Sequence, residues 1–167
     1  MTHDPIDILL AHNAWANAKV LDRCRSLSEE ELHRKFEMGL GSIHDTIHHN
    51  IAGYRWWTDR IADREPRPFL KSGESRHTLA ELEQLGAEAE ADMRQVAADL
   101  KSNGHLTEIL ISRIPPGKKF SRTTALMHAC THAIHHRAQI LNMLRQLRPK
   151  EEPLELDVTA WQIETES

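Results

Sequence analysis

Four long stretches of helix-forming residues, separated by a few Gly and Pro breaks, constrain this chain more than any other feature. The breaks fall at Gly39 and Gly41, at Pro66, Pro68 and Gly73, at Gly104 with the Pro115-Pro116-Gly117 run, and at Pro149 and Pro153. Between them lie segments rich in Ala, Leu, Glu, Arg and Gln, all good helix formers. The pattern predicts helices over about Pro5 to Ser26, Ser42 to Ala62, Thr78 to Lys101 and Ser121 to Leu147. Asp4 is placed to cap the first, with Pro5 in its opening turn. Ser28 and Glu31 form a capping box for a short turn after it. Gly53 and Gly86 fall inside helical stretches and weaken them locally. Leu106 to Ile114 is the one candidate strand or extended crossover, and the prolines after it predict a long irregular connection.

Four helices of about 20 residues with one long crossover before the last indicate an all-α fold, a four-helix bundle. At 167 residues the chain suits one domain, expected over 1–150. Residues 151–167 form an acidic tail that carries Leu154, Leu156, Val158 and Trp161, and should pack on the bundle or on a partner. A net charge of −4 argues against nucleic acid as a partner. Cys24 and Cys130 are too few for a disulfide scaffold and read as small buried hydrophobes in a reducing, cytoplasmic setting. No basic flank with an apolar run marks a signal peptide, and no stretch is apolar enough to span a membrane.

The 12 histidines are the chemical signal. His3, His12, His33, His77 and His105 stand apart in sequence and are expected to be exposed or locally satisfied. The others form two groups: His44, His48 and His49 on the second long helix, and His128, His132, His135 and His136 on the fourth. His132 and His136, four apart, lie about 40° apart on the helical wheel and can aim two imidazoles at one point. Both fall on or within the apolar arc that includes Ala129, Ala133 and Ile140, whereas His128 and His135 fall outside it. Such a pair suits Zn²⁺, Ni²⁺ and similar ions. A catalytic site adds a third protein ligand and an open position, and His48 or His49 is the natural third. The wheel does not choose between them. Ala133 after His132 excludes the H-E-x-x-H peptidase pattern, and the paired Glu-x-x-His motifs of di-iron bundles are missing. Asn13 and Asn17 fall on the inward arc of the first helix, so they must bond to a neighbouring helix or face a polar cavity. The third long helix carries many charges and little that resembles chemistry.

Three strings together resemble the DinB / YfiT-like metal-binding superfamily. They are His132-Ala133-Ile134-His135-His136-Arg137-Ala138-Gln139-Ile140, Gly41-Ser42-Ile43-His44-Asp45-Thr46-Ile47-His48-His49-Asn50-Ile51 followed by Trp57 and Arg60, and His12-Asn13-Ala14-Trp15-Ala16-Asn17. The resemblance covers nearly the whole chain. It implies one divalent metal ion held by His49, His132 and His136, the family register choosing His49. It also implies a homodimer. Tyr54 stands where many relatives carry an acid, and Ala138 where glycine is frequent.

Three imidazoles leave a 2+ charge uncompensated, and such a site lowers the pKa of bound water or thiol. The leading expectation is therefore a metal-dependent enzyme of the thiol S-transferase type, joining a low-molecular-weight thiol to a small electrophile. The metal is expected to be zinc or nickel, with iron or manganese as further candidates. Metal-dependent hydrolysis and a non-catalytic, stress-associated metal-binding dimer are the alternatives. No catalytic residue beyond the ligands is assigned. Arg137 and Gln139 flank the last ligand and should anchor helices or substrate, and Trp15, Trp56 and Trp57 should pack or line a pocket.

Overall fold

In the computed structural model, which describes residues 4–68, 77–113 and 116–166, the chain is mostly helical. The elements are α1 (Pro5–Cys24), α2 (Glu29–His33), α3 (Ile43–Ile61), α4 (Leu79–Ser102), β1 (Ile109–Arg113), β2 (Pro116–Ser121), α5 (Arg122–Leu147) and α6 (Val158–Glu166). His3, Gly73, Ile114 and Pro115, which entered the sequence argument, lie outside the described residues.

Local chemistry sets the helix starts. Asp4 Oδ1 accepts from the backbone N–H groups of Ile6 (2.9 Å) and Asp7 (3.2 Å), two donors that the first helical turn leaves without partners. Ser28 with Glu31, and Thr78 with Glu81, form reciprocal capping boxes. Ser42 and Ser121 cap α3 and α5 in the same way through one hydroxyl each.

The four long helices pack in a closed ring: α1 touches α4 and α5, and α3 touches α4 and α5. Their apolar faces meet inside as two joined clusters. Tyr54, Ile61, Met93 and Leu126 centre one, and Val20, Ile43, Leu82, Ile140 and Met143 the other. Cys24 and Cys130 are buried thiols in these clusters, and burial pushes each up to about 12.

The connection before α5 differs from the expected irregular crossover. Ile109 to Arg113 pairs antiparallel with Pro116 to Ser121 as a hairpin, with Leu110 opposite Phe120. Leu110 is buried and Phe120 packs on the core, so alternate residues turn inward. The buried Arg60 guanidinium donates to Ile111 O at 2.8 Å and fastens the hairpin to α3.

The tail packs on α1. His12 Nε2–H donates to Leu156 O at 2.7 Å, and Glu164 takes Trp15 Nε1–H at 3.2 Å and the Lys19 ammonium at 2.7 Å. His12 is thus buried and long-range in its bonding, a correction to its expected isolation. Among the described residues no helix is long and apolar enough to cross a membrane.

Candidate metal centre

The contact between α3 and α5 brings His49 beside His132 and His136. One ring nitrogen from each lies within 4.8 Å of the other two. Ring centroids are 5.6 Å apart for His49 and His132, 4.8 Å for His49 and His136, and 4.4 Å for His132 and His136. The Nε2 atoms of His132 and His136 approach to 3.3 Å. His136 is buried, and His49 and His132 are half-buried, so the site opens on one side to solvent. Gly53, one turn beyond His49, leaves room for the His132 ring: a Cβ there would already stand 3.9 Å from His132 Cε1. The glycine that weakened the helix in the sequence therefore has a spatial role.

A carboxamide orients the pair. Gln139 Oε1 accepts from His136 Nδ1 at 2.9 Å, while Gln139 Nε2 donates to His135 Nε2 at 2.9 Å. With its proton on Nδ1, His136 turns an Nε2 lone pair toward its partners, the tautomer a metal ligand needs. The chain at Gly39 lies against this amide, where a Cβ would sit 2.8 Å from Gln139 Oε1, and its φ of +56° also favours glycine. Replacing Gln139 by leucine should therefore weaken metal affinity by about 10–100-fold while leaving the helices intact, as read by calorimetric titration beside circular dichroism.

Burial and mutual repulsion keep the three rings neutral. His132 is pushed down to about 4, first by burial and then by the neighbouring histidines His136, His49, His128 and His135. His49 is lowered by burial, and His136 by burial, with Gln139 acting against the shift. A ring that rejects its proton offers a lone pair at neutral pH, so the donor set fits one divalent ion.

The remaining histidines divide differently from the sequence grouping. His128 and His135 are exposed and flank the triad, with ring centroids 5.6 Å from His132 and 5.3 Å from His136. His44 and His48, although on the helix of His49, turn away from it. They join His33 and His77, which the sequence left isolated, in a row of rings 4.4, 6.5 and 5.5 Å apart. His44 Nε2–H donates to His77 O at 2.8 Å. His105 is exposed, 3.7 Å from the Glu108 carboxylate.

On the inner side of α5 lies a buried polar network. Arg137 Nη1 donates to Asn13 Oδ1 (2.6 Å) and Asn17 Oδ1 (2.8 Å). The two amides in turn donate to Glu90 Oε1, at 3.0 and 2.6 Å. Asn13 and Asn17 thus connect α1 to both α4 and α5. Glu90 is a correction to the reading of α4 as chemically plain. The only trace in the sequence is its position: it lies about 60° from Met93 on the wheel, at the edge of the apolar arc. Burial raises the Glu90 carboxyl and lowers the Arg137 guanidinium. Tyr54 is buried in this region, not at the triad. Trp56, Trp57, Phe120 and His128 stack edge to face, and Trp15 packs on His12, so the tryptophans serve packing.

No curated protein matches the chain. The family model described as DinB family, in contrast, matches residues 2–166, essentially the whole length. By that match, over the three histidine- and asparagine-bearing strings that build the triad and its supporting network, the chain belongs to the DinB family.

Proposed function

We propose that this protein is a four-helix-bundle metalloenzyme in which His49, His132 and His136 hold one divalent ion, zinc or nickel first. Its proposed reaction joins a low-molecular-weight thiol to a small electrophile. One observation carries the reading: the three imidazole nitrogens lie within 4.8 Å of one another, two of them four residues apart on α5. A divalent ion bound by three neutral imidazoles keeps its full charge and an open position, which lowers the pKa of a bound thiol or water.

The chain's own groups complete the site. Gln139 holds His136 in the ligating tautomer, and the half-buried His49 and His132 leave the approach open. Exposed His128 and His135, beside the triad, are bases within reach of a proton released there. The reading includes a cytoplasmic homodimer without nucleic-acid partners. Met127 and Ile134, seven residues apart and both exposed on α5, are the apolar surface that supports the dimer.

The test is turnover of monochlorobimane with a panel of small thiols, on zinc- and nickel-loaded protein and on the His132→Ala variant. The expected result is conjugation that needs metal, thiol and His132 together. Metal-dependent ester cleavage without thiol would replace this reading by the hydrolase. Silence in both assays, with a metal-dependent gain in thermal stability, would leave a structural metal protein.

A further inference from the structure

The largest cavity among the described residues is not at the triad. A cavity of about 600 Å³ opens between α1 and α4 and reaches inward to α3 and α5, and none of the three ligating histidines lines it. That volume is in the range of small-molecule sites. Its walls are largely apolar: Ala14 and Leu21 of α1, Ile47 and Ile51 of α3, Gly86 of α4 and Ile140 of α5. The Arg25–Glu83 ion pair, at 2.8 Å, stands among the lining residues.

Two polar groups in the lining have atoms without partners. Glu90 spends Oε1 on the amides of Asn13 and Asn17, while its Oε2 is buried and makes no hydrogen bond. The Tyr54 hydroxyl is buried and equally bare. Both residues are more than nine-tenths buried, at 8% and 5% exposure. Folded proteins pair nearly all such atoms, so two bare ones lining one cavity call for a partner that enters it. The two groups are close enough to perturb each other's titration without meeting the geometry of a direct hydrogen bond.

The chemistry of that partner follows from what is already satisfied. Arg137 offsets the Glu90 charge through the two amides, and Arg94 also lines the cavity, so no added cation is called for. The carboxylate oxygen accepts, and the phenol both donates and accepts. A single hydroxyl group can donate to Glu90 Oε2 and accept from Tyr54 Oη, while the apolar walls take a hydrocarbon body. We propose that this cavity is a second ligand site, which binds a neutral, mainly apolar small molecule through one hydroxyl group seated between Glu90 and Tyr54. The site does not depend on the metal centre.

The test compares 4-phenyl-1-butanol with butylbenzene, which lacks only the hydroxyl, by calorimetry and by amide NMR shifts on the full chain. The alcohol should bind saturably and about tenfold more tightly than the hydrocarbon, the worth of one added hydrogen bond. Tyr54→Phe and, separately, Glu90→Gln should bring the alcohol down to the hydrocarbon's affinity and leave the hydrocarbon unchanged. Gly86→Leu should abolish both, because a Cβ at Gly86 would meet only the side chains of Ile51 and Leu21, at 3.5 to 3.9 Å, and the added atoms fill the cavity. Circular dichroism establishes that each variant is folded. His132→Ala should bind both probes as the parent does, which separates this site from the metal centre. No saturable binding, equal binding of the two probes, or binding untouched by Gly86→Leu would each overturn the proposal. The first outcome would leave the two polar atoms to water.

Discussion

Replacing His132 by alanine removes stoichiometric zinc or nickel from this protein. His132 sits between the other two rings, 5.6 Å from His49 and 4.4 Å from His136 between centroids, so its loss leaves two donors with no third to close the set. The fall in affinity should exceed the about 10–100-fold expected for Gln139, which supports a ligand without being one. Metal analysis after dialysis reads the result, and a variant that retains one equivalent would remove these histidines from the site. Proton competition gives a second readout. Because His132 is held at about 4, against an ordinary value near 6.5, it stays neutral at pH 5.5, where a free histidine is mostly protonated. Parent affinity should therefore hold through pH 6 and fall only as the pH approaches 4. The same shift has a stability sign in the metal-free protein. The unfolded chain takes up a proton near pH 6.5 that the folded ring refuses, so this contribution is present above pH 6.5 and lost as pH falls toward 4. His132→Ala should make the metal-free fold less sensitive to acid, modestly, since the ring is half-exposed and solvent screens it.

Arg137→Leu should cost about 3–5 kcal/mol of stability, the penalty for stripping a buried charge of its partner. The guanidinium holds both asparagine amides, and those amides hold Glu90. Without it Glu90 is an uncompensated carboxylate inside the helix ring. Adding Glu90→Leu to Arg137→Leu should restore much of the loss, because a matched pair of apolar replacements leaves no bare charge. Urea unfolding of the two single variants and the double variant measures the coupling, and strictly additive losses would show that the residues act independently. The pH dependence has a defined direction. Burial raises the Glu90 carboxyl, so the folded state binds its proton more readily than the unfolded state. The Arg137→Leu penalty should shrink as pH falls and Glu90 becomes neutral, and grow as pH rises.

Much of this arrangement is legible in short stretches of sequence. Asp4, Ser28 and Ser42 announce helix starts because a cap bonds within its own first turn. His132 and His136 declare a shared face because four residues make about one turn. Asn13 and Asn17 look out of place on an apolar arc, and their partners turn out to lie on two other helices. The hairpin before α5 escapes notice because a Pro-Pro pair reads as a break, whereas the second proline opens β2. Glu90 escapes notice because charges crowd α4, and helical position alone does not separate a buried carboxylate from a solvated one.

From its own residues, then, the chain prescribes long capped helices, their apolar faces and the paired histidines of α5, all consequences of bonding and periodicity within a turn or two. Periodicity reports which side of a helix is buried but not which neighbour covers it. That pairing was left to the folded molecule. The packing of α3 against α5 sets His49, and not the adjacent His48, beside the pair, because the two lie about 100° apart on one helix and face different neighbours. The packing of α1 and α4 likewise joined Glu90 to Arg137 through two asparagines and left a cavity beside them, contacts between residues more than 70 positions apart in the chain.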